Sequence, residues 1–189
     1  MRKLLIVVAA VCASTAGSRA QQTFDRVLVF RSADRTLDRA EHRPGVLVRV
    51  DTGESVWADD AARSAAALGG QSAVVVVELR GVPSAPPPAS ATQPGDAQFT
   101  GMSFKPIFEN DKVRVIRARM EVGAKEALHT HASDTVVVHL SGGEIEDTAN
   151  GKTVVNKWKP GDVEYEALGS SHSARNVGGP VDVVLVALK

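Results

Sequence analysis

The chain has 189 residues, enough for one or two small domains. Its apolar content of 43% and charged content of 23% are those of an ordinary globular protein. Basic and acidic residues balance at 22 each, so no basic field exists to hold nucleic acid and no polybasic block exists for a membrane surface.

The first twenty residues, MRKLLIVVAAVCASTAGSRA, combine Arg2 and Lys3 with an apolar run from Leu4 to Val11 and a stretch of small residues. Ser18 and Ala20 fit the small-x-small pattern of signal-peptide cleavage. The apolar run is shorter than the roughly 20 residues a bilayer span needs. The segment therefore predicts a signal peptide over 1–20, a periplasmic or secreted mature protein, and no transmembrane span in the mature chain. The alternatives are a lipid anchor on Cys12, which Val11 suits poorly, and a buried N-terminal element. Cleavage after Ala20 removes Arg2, Lys3 and Arg19, leaving 19 of the 22 basic residues against 22 acidic ones. It also removes Cys12, the sole cysteine, which excludes disulfides and thiolate catalysis in the mature chain.

Residues 24–81 read as a β-rich segment with strands in FDRVLVF, GVLVRV and SAVVVVELR. Residues 82–103 are rich in Pro, Ala, Ser and Gly, lack apolar periodicity and read as a linker, or as an ordered strap packed on a domain. Residues 104–189 read as a second β domain. VRVIRARM alternates apolar and charged residues, as a strand with one wet face does, and TVVVHL, KTVVNKW, VEYEAL and VDVVLVAL follow. SGG, NGK, KPGD and NVGGP separate these runs, and Asn150-Gly151 is a strong hairpin signal. Short strands at this spacing predict an all-β sandwich or barrel.

The two β parts resemble each other. FDRVLVF parallels NDKVRVI at 110–116, and GGQSAVVVVELR at 69–80 parallels GGPVDVVLVALK at 178–189. The pattern suggests an internal duplication with a shortened first copy. That copy has one histidine, His42, and no H-x-H pair.

Three of the five histidines lie in ALHTHASDTVVVHL, residues 127–140. On a strand, side chains two apart share a face, so His129 and His131 point together and could aim two imidazoles at one ion, each about 2.0–2.1 Å away. Gly123 precedes His129 by six positions, and Gly142 follows. Further on, GDVEYEALGSSHSARN runs from Gly161 to Asn176. These two stretches resemble the paired motifs of the cupin superfamily, G-x5-H-x-H-x3,4-E-x6-G and G-x5-P-x-G-x2-H-x3-N. The first reads Gly123, His129, His131, Thr135, Gly142, with Thr135 where the motif has Glu. The second reads Gly161, Ala167, Gly169, His172, Asn176, with Ala167 where the motif has Pro. All intervals fit.

The resemblance covers residues 108–189. It implies an antiparallel jelly-roll barrel in which His129, His131 and His172 converge on a divalent metal: iron, manganese, nickel or zinc. Thr135 is a poor ligand for a hard cation. This leaves three readings: three histidines with open positions for water or substrate, a carboxylate restored by Asp134, or a metal-free site. His139 shares the parity of Thr135 and would face the interior, either lining a substrate pocket or as a hydrogen-bonded core residue. In Glu164, Tyr165 and Glu166 the inward face cannot be counted; Tyr165 joins Asp134, Thr135 and His139 as a candidate pocket residue. The expected function is that of an exported metal-dependent enzyme acting on a small organic molecule, by dioxygenase-, isomerase- or lyase-type chemistry. The alternative is a non-catalytic barrel that binds or senses a small molecule. A homodimer is expected only by analogy with other proteins of this fold.

Overall fold

A computed structural model describes residues 21–31, 43–68, 73–92 and 97–189. The predicted signal peptide and His42 lie outside the described residues. The architecture is nearly all β, as the sequence predicts. A first sheet contains β1 (Gln21–Thr23), β2 (Val27–Arg31), β3 (Gly45–Arg49), β4 (Ser55–Ala58) and β5 (Val74–Leu79) in the order β1-β2-β5-β3-β4. Helix α1 (Ala61–Leu68) follows β4. It was not expected from the β reading of 24–81, but Asp60 accepts a hydrogen bond from the Arg63 amide at its start and an alanine-rich sequence carries it on.

The second sheet is the barrel. It contains β6 (Phe99–Glu109), β7 (Val113–Thr130), β8 (Thr135–His139), β9 (Gly143–Ala149), β10 (Lys152–Trp158), β11 (Val163–Glu166), β12 (Ser171–Asn176) and β13 (Val181–Leu188). Its order is β10-β9-β12-β7-β13-β8-β11, with β6 also on β7. Strand β7 curls it. The first half of β7, Val113–Met120, pairs with β13, and its second half, from Lys125 onward, pairs with β12. The bend between them passes through Gly123 at φ +77°, a backbone region that a side chain disfavours. Asn176 braces this corner by donating from Nδ2 to the carbonyls of Met120 and Glu121. The predicted hairpin forms at Asn150-Gly151, both at positive φ, and sets Lys152 opposite Ala149.

The stretch read as a linker becomes strand at Phe99. Before that, Thr92 is tied to Thr130 in both directions, by its amide to the Thr130 carbonyl and by its hydroxyl to the Thr130 amide.

The two sheets pack face to face. Val27, Val29, Val46, Val48, Val75 and Val77 meet Val113, Val115, Val136, Val138, Val184, Val186 and Leu188 in one core. The run Val74–Val77 is unbroken because both its faces are covered. Val75 and Val77 face the barrel, while Val74 and Val76 pack with Leu28, Phe30 and Leu47 in the layer that includes Ala61 and Ala65 of α1.

The order β2-β5-β3-β4 is repeated in β7-β13-β8-β11, in the same register. Val27 lies opposite Leu79, and Val113 opposite Leu188. Val77 lies between Val29 and Val46, and Val186 between Val115 and Val136. Trp57 pairs with Val46, and Tyr165 with Val136. Of these strands, β2 with β7 and β5 with β13 carry the segments whose sequences run parallel.

A buried ion pair locks the first sheet to the barrel. Arg26 donates to Asp134 at 3.2 Å, to the Val82 carbonyl, and to the Lys189 carbonyl at 2.7 Å. Asp134 also accepts from the Leu168 amide at 2.8 Å. Asp134→Ala leaves that amide and a buried guanidinium short of an acceptor. It is expected to cost about 2–3 kcal/mol, read as a lower midpoint in urea unfolding; an unchanged midpoint would count against this role.

Candidate metal centre

His129 stands near the end of β7, His131 just past it, and His172 on β12 directly opposite His129. The Ser170 carbonyl accepts from the His131 amide, and the His131 carbonyl from the Gly169 amide, so the glycine turn of the second motif is stitched to the H-x-H of the first. The three rings converge. His131 Nε2 and His172 Nε2 are 3.2 Å apart, and one ring nitrogen from each histidine falls within 4.8 Å of the others. Two ligands about 2.1 Å from one ion stand roughly 3–4 Å apart, so the donor set fits a single cation.

Two of the rings are held from behind. His129 Nδ1 lies 3.0 Å from the Ala127 carbonyl, and His172 Nδ1 lies 2.9 Å from Asp147 Oδ1. With those nitrogens donating, each Nε2 is free to ligate, which is how ligating imidazoles are commonly oriented. Asp147→Asn is expected to weaken metal binding by about 10–100-fold while leaving the fold intact. Isothermal titration would show it, and an affinity equal to wild type would exclude Asp147 as the orienting group.

Protons are unevenly shared in the metal-free cluster. Burial, then the neighbouring imidazoles, push His131 down to about 3. Burial also lowers His129. At His172 burial opposes the charge, but the hydrogen bond its Nδ1 donates to Asp147 and the carboxylates of Glu166 and Glu126 outweigh it and raise the group from 6.5 to about 9. The stability it lends is therefore full below about pH 6.5 and is lost as pH rises through about 9. A metal must displace this proton. Affinity should thus climb by about tenfold per pH unit from 7 toward 9 and then flatten; a flat profile over that range would contradict a proton on His172.

His172, at the edge of the cluster, lines a cavity inside the barrel with a volume of about 60 Å³. Met102, Phe104, Met120, Val137, Ile145 and Leu185 give it apolar walls. Glu126, Asp147, Glu164 and Glu166 add carboxylates, and no lysine or arginine lines it. His139 closes one end, fully buried, stacked on Trp158 with ring centroids 4.3 Å apart, and 3.9 Å from Glu164. Neither its ring nitrogens nor Trp158 Nε1 has a hydrogen-bond partner among the described residues. His139 is thus a cavity residue, and the hydrogen-bonded core reading does not apply.

The other candidates divide by strand face. Thr135 is buried on β8 with the inward parity of Val137 and His139. Asp134 is turned the other way, onto Arg26, so it does not restore a carboxylate to the cluster. Tyr165 also faces away. Its ring stacks on Phe24 at 4.3 Å, and its hydroxyl is pushed up by burial and then by a hydrogen bond to Asp134. Its neighbours Glu164 and Glu166 are the inward pair. Glu126 and Asp147 were not foreseen. Glu126 is three residues from His129 and should alternate away, but a bulge opposite His172–Ala174 restores its inward direction.

No protein-family model matches the chain, and no curated protein matches it. Solved structures do. A cupin domain from Bordetella pertussis Tohama I is 22% identical, with 49% of this chain and 97% of that one covered at a TM-score of 0.45. KdgF from Halomonas sp. is 16% identical over 53% and 94% of the two chains, TM-score 0.40. The polyketide cyclase RemF from Streptomyces resistomycificus is 14% identical over 48% and 66%, TM-score 0.42. Within the chain itself, two motifs that resemble those of cupins lie at full spacing on paired strands of one curled antiparallel sheet and bring their histidines to a common point.

Proposed function

We propose that this is an exported protein whose barrel binds one divalent metal through His129, His131 and His172 and transforms a small organic molecule in the adjoining cavity, by dioxygenase-, isomerase- or lyase-type chemistry. The observation that carries the reading is the convergence of three imidazoles, two of them held from behind, at the polar end of an apolar-walled cavity. Bound there, the metal would supply a Lewis acid or, if redox-active, a centre for oxygen chemistry. The apolar walls hold the body of the substrate and keep bulk water out. Glu126, which burial raises, and Glu164 line the same space and are placed to take or give a proton. The basic-then-apolar start of the chain supports export.

The test is metal content by mass spectrometry of protein purified without chelator or affinity-tag metal, followed by an oxygen-uptake screen of the loaded protein. Near one metal per chain is expected. Absence of metal after reconstitution with iron, manganese, nickel and zinc would sink the reading. The second reading, a non-catalytic binding barrel, is favoured by Thr135 at the glutamate position. It predicts an organic ligand that copurifies without metal.

A further inference from the structure

We propose that Glu166 is the fourth protein ligand of this metal site, its carboxylate reaching the ion from the strand beside Thr135. The inference rests on the metal reading above and goes beyond it by closing the donor set. Thr135 and Glu166 are direct partners in the β8–β11 register, so their Cβ atoms lie about 4.5–5.5 Å apart on one face. A carboxylate on either strand starts from nearly the same place.

The position of Glu166 distinguishes it from the other cavity acids. Its Oε2 is 3.6 Å from His131 Nδ1, on the side of the ring away from the nitrogen that faces His172, and its Oε1 is 3.8 Å from His172 Nε2. Among the described residues, the other acids within ion-pair distance of the cluster, Glu126 and Asp147, each reach His172 alone. Asp147 is committed to His172 Nδ1, and Glu164 leans toward His139. Glu166 accepts no hydrogen bond from any described residue, although only 17% of its side chain is exposed. A carboxylate in that state is costly unless a cation meets it. Four acids line the cavity with no lysine or arginine on its walls, so the one positive charge the chain offers them there is a protonated His172, which a bound cation would replace.

The experiment is a Co²⁺ titration of the metal-free protein, followed by its visible ligand-field spectrum, which reports coordination number and ligand type without any turnover. Wild type, Glu166→Gln, Glu126→Gln and the double variant Glu166→Gln/Thr135→Glu are compared. The expected result is one Co²⁺ per wild-type chain, an affinity loss of at least about tenfold in Glu166→Gln with an altered spectrum, and a smaller loss in Glu126→Gln. The double variant regains affinity because the carboxylate returns one strand over. Thermal melts guard against a misfolded variant. Metal-free Glu166→Gln should melt no lower than wild type, since it loses a desolvated acid that accepts no hydrogen bond from the described residues, yet Co²⁺ should raise its melting point by less. A Glu166→Gln titration and spectrum like wild type, with wild type still binding, would overturn this proposal alone. A loss in Glu126→Gln equal to or greater than that in Glu166→Gln would overturn it in favour of Glu126. Failure of wild type to bind any metal would remove the underlying reading as well.

Discussion

A chain cut down to residues 97–189 is expected to aggregate or remain unfolded, although it keeps every candidate ligand. The back of the barrel sheet presents Val113, Val115, Val136, Val138, Val184, Val186 and Leu188, each at most 2% exposed in the whole protein. Among the described residues, valines of the first sheet supply the buried partners that cover them. Exposing a buried side chain of this size costs about 1.5–3 kcal/mol, so losing the cover costs on the order of 10 kcal/mol, as much as the whole stability of a typical domain. The cut also leaves Asp134 without Arg26. Circular dichroism and size-exclusion chromatography are the readouts. A truncated barrel that stays monomeric and melts cooperatively near the full protein would show that the first sheet is dispensable.

The second large effect is expected at His172. His172→Ala should reduce bound metal from about one per chain to background, a loss of at least about a hundredfold in affinity. Three features set His172 apart. It is the sole histidine of the second motif, it joins the first-motif histidines through the His172–His129 pair, and three carboxylates stand within 4 Å of it. Without it those acids surround an empty space, and two imidazoles remain to hold the ion. His139→Asn is the matching control, because His139 is buried at the far end beside Trp158 and outside the cluster. Metal retained at wild-type level in His172→Ala, or lost from His139→Asn, would place the ion elsewhere in the cavity.

What could be read in the sequence followed from spacing. The H-x-H pair and Asn150-Gly151 act through local backbone geometry, so the shared direction of His129 and His131 and the hairpin follow from residue order, whereas the joining of His172 to them rested on the resemblance of the two motifs. What could not be read depends on which strand lies beside which. Parity was enough to warn against Asp134 but not to place Tyr165, because alternation could not be counted through Ala167–Gly169 to His172. Glu126 was hidden by a bulge that shifts the phase of β7 by one residue. Asp147 reaches His172 because β9 lies beside β12, which no local pattern announces. Helix α1 was legible in its alanines and in Asp60, but the β-rich reading of 24–81 assigned that stretch no element.

The matched registers of the two sheets bear on how the protein behaves in dilute solution. A lone barrel with such a valine face would have to find another molecule to cover it, and its folding would then vary with concentration. Here the complementary surface is tethered in cis, four strands of one sheet packed on four of matching order in the other, much as identical subunits pack on one another in a dimer. The local concentration of that surface is fixed by the chain. Cover for the back of the barrel, and with it the integrity of the histidine cavity on the other side, therefore persists however few copies of the protein are present.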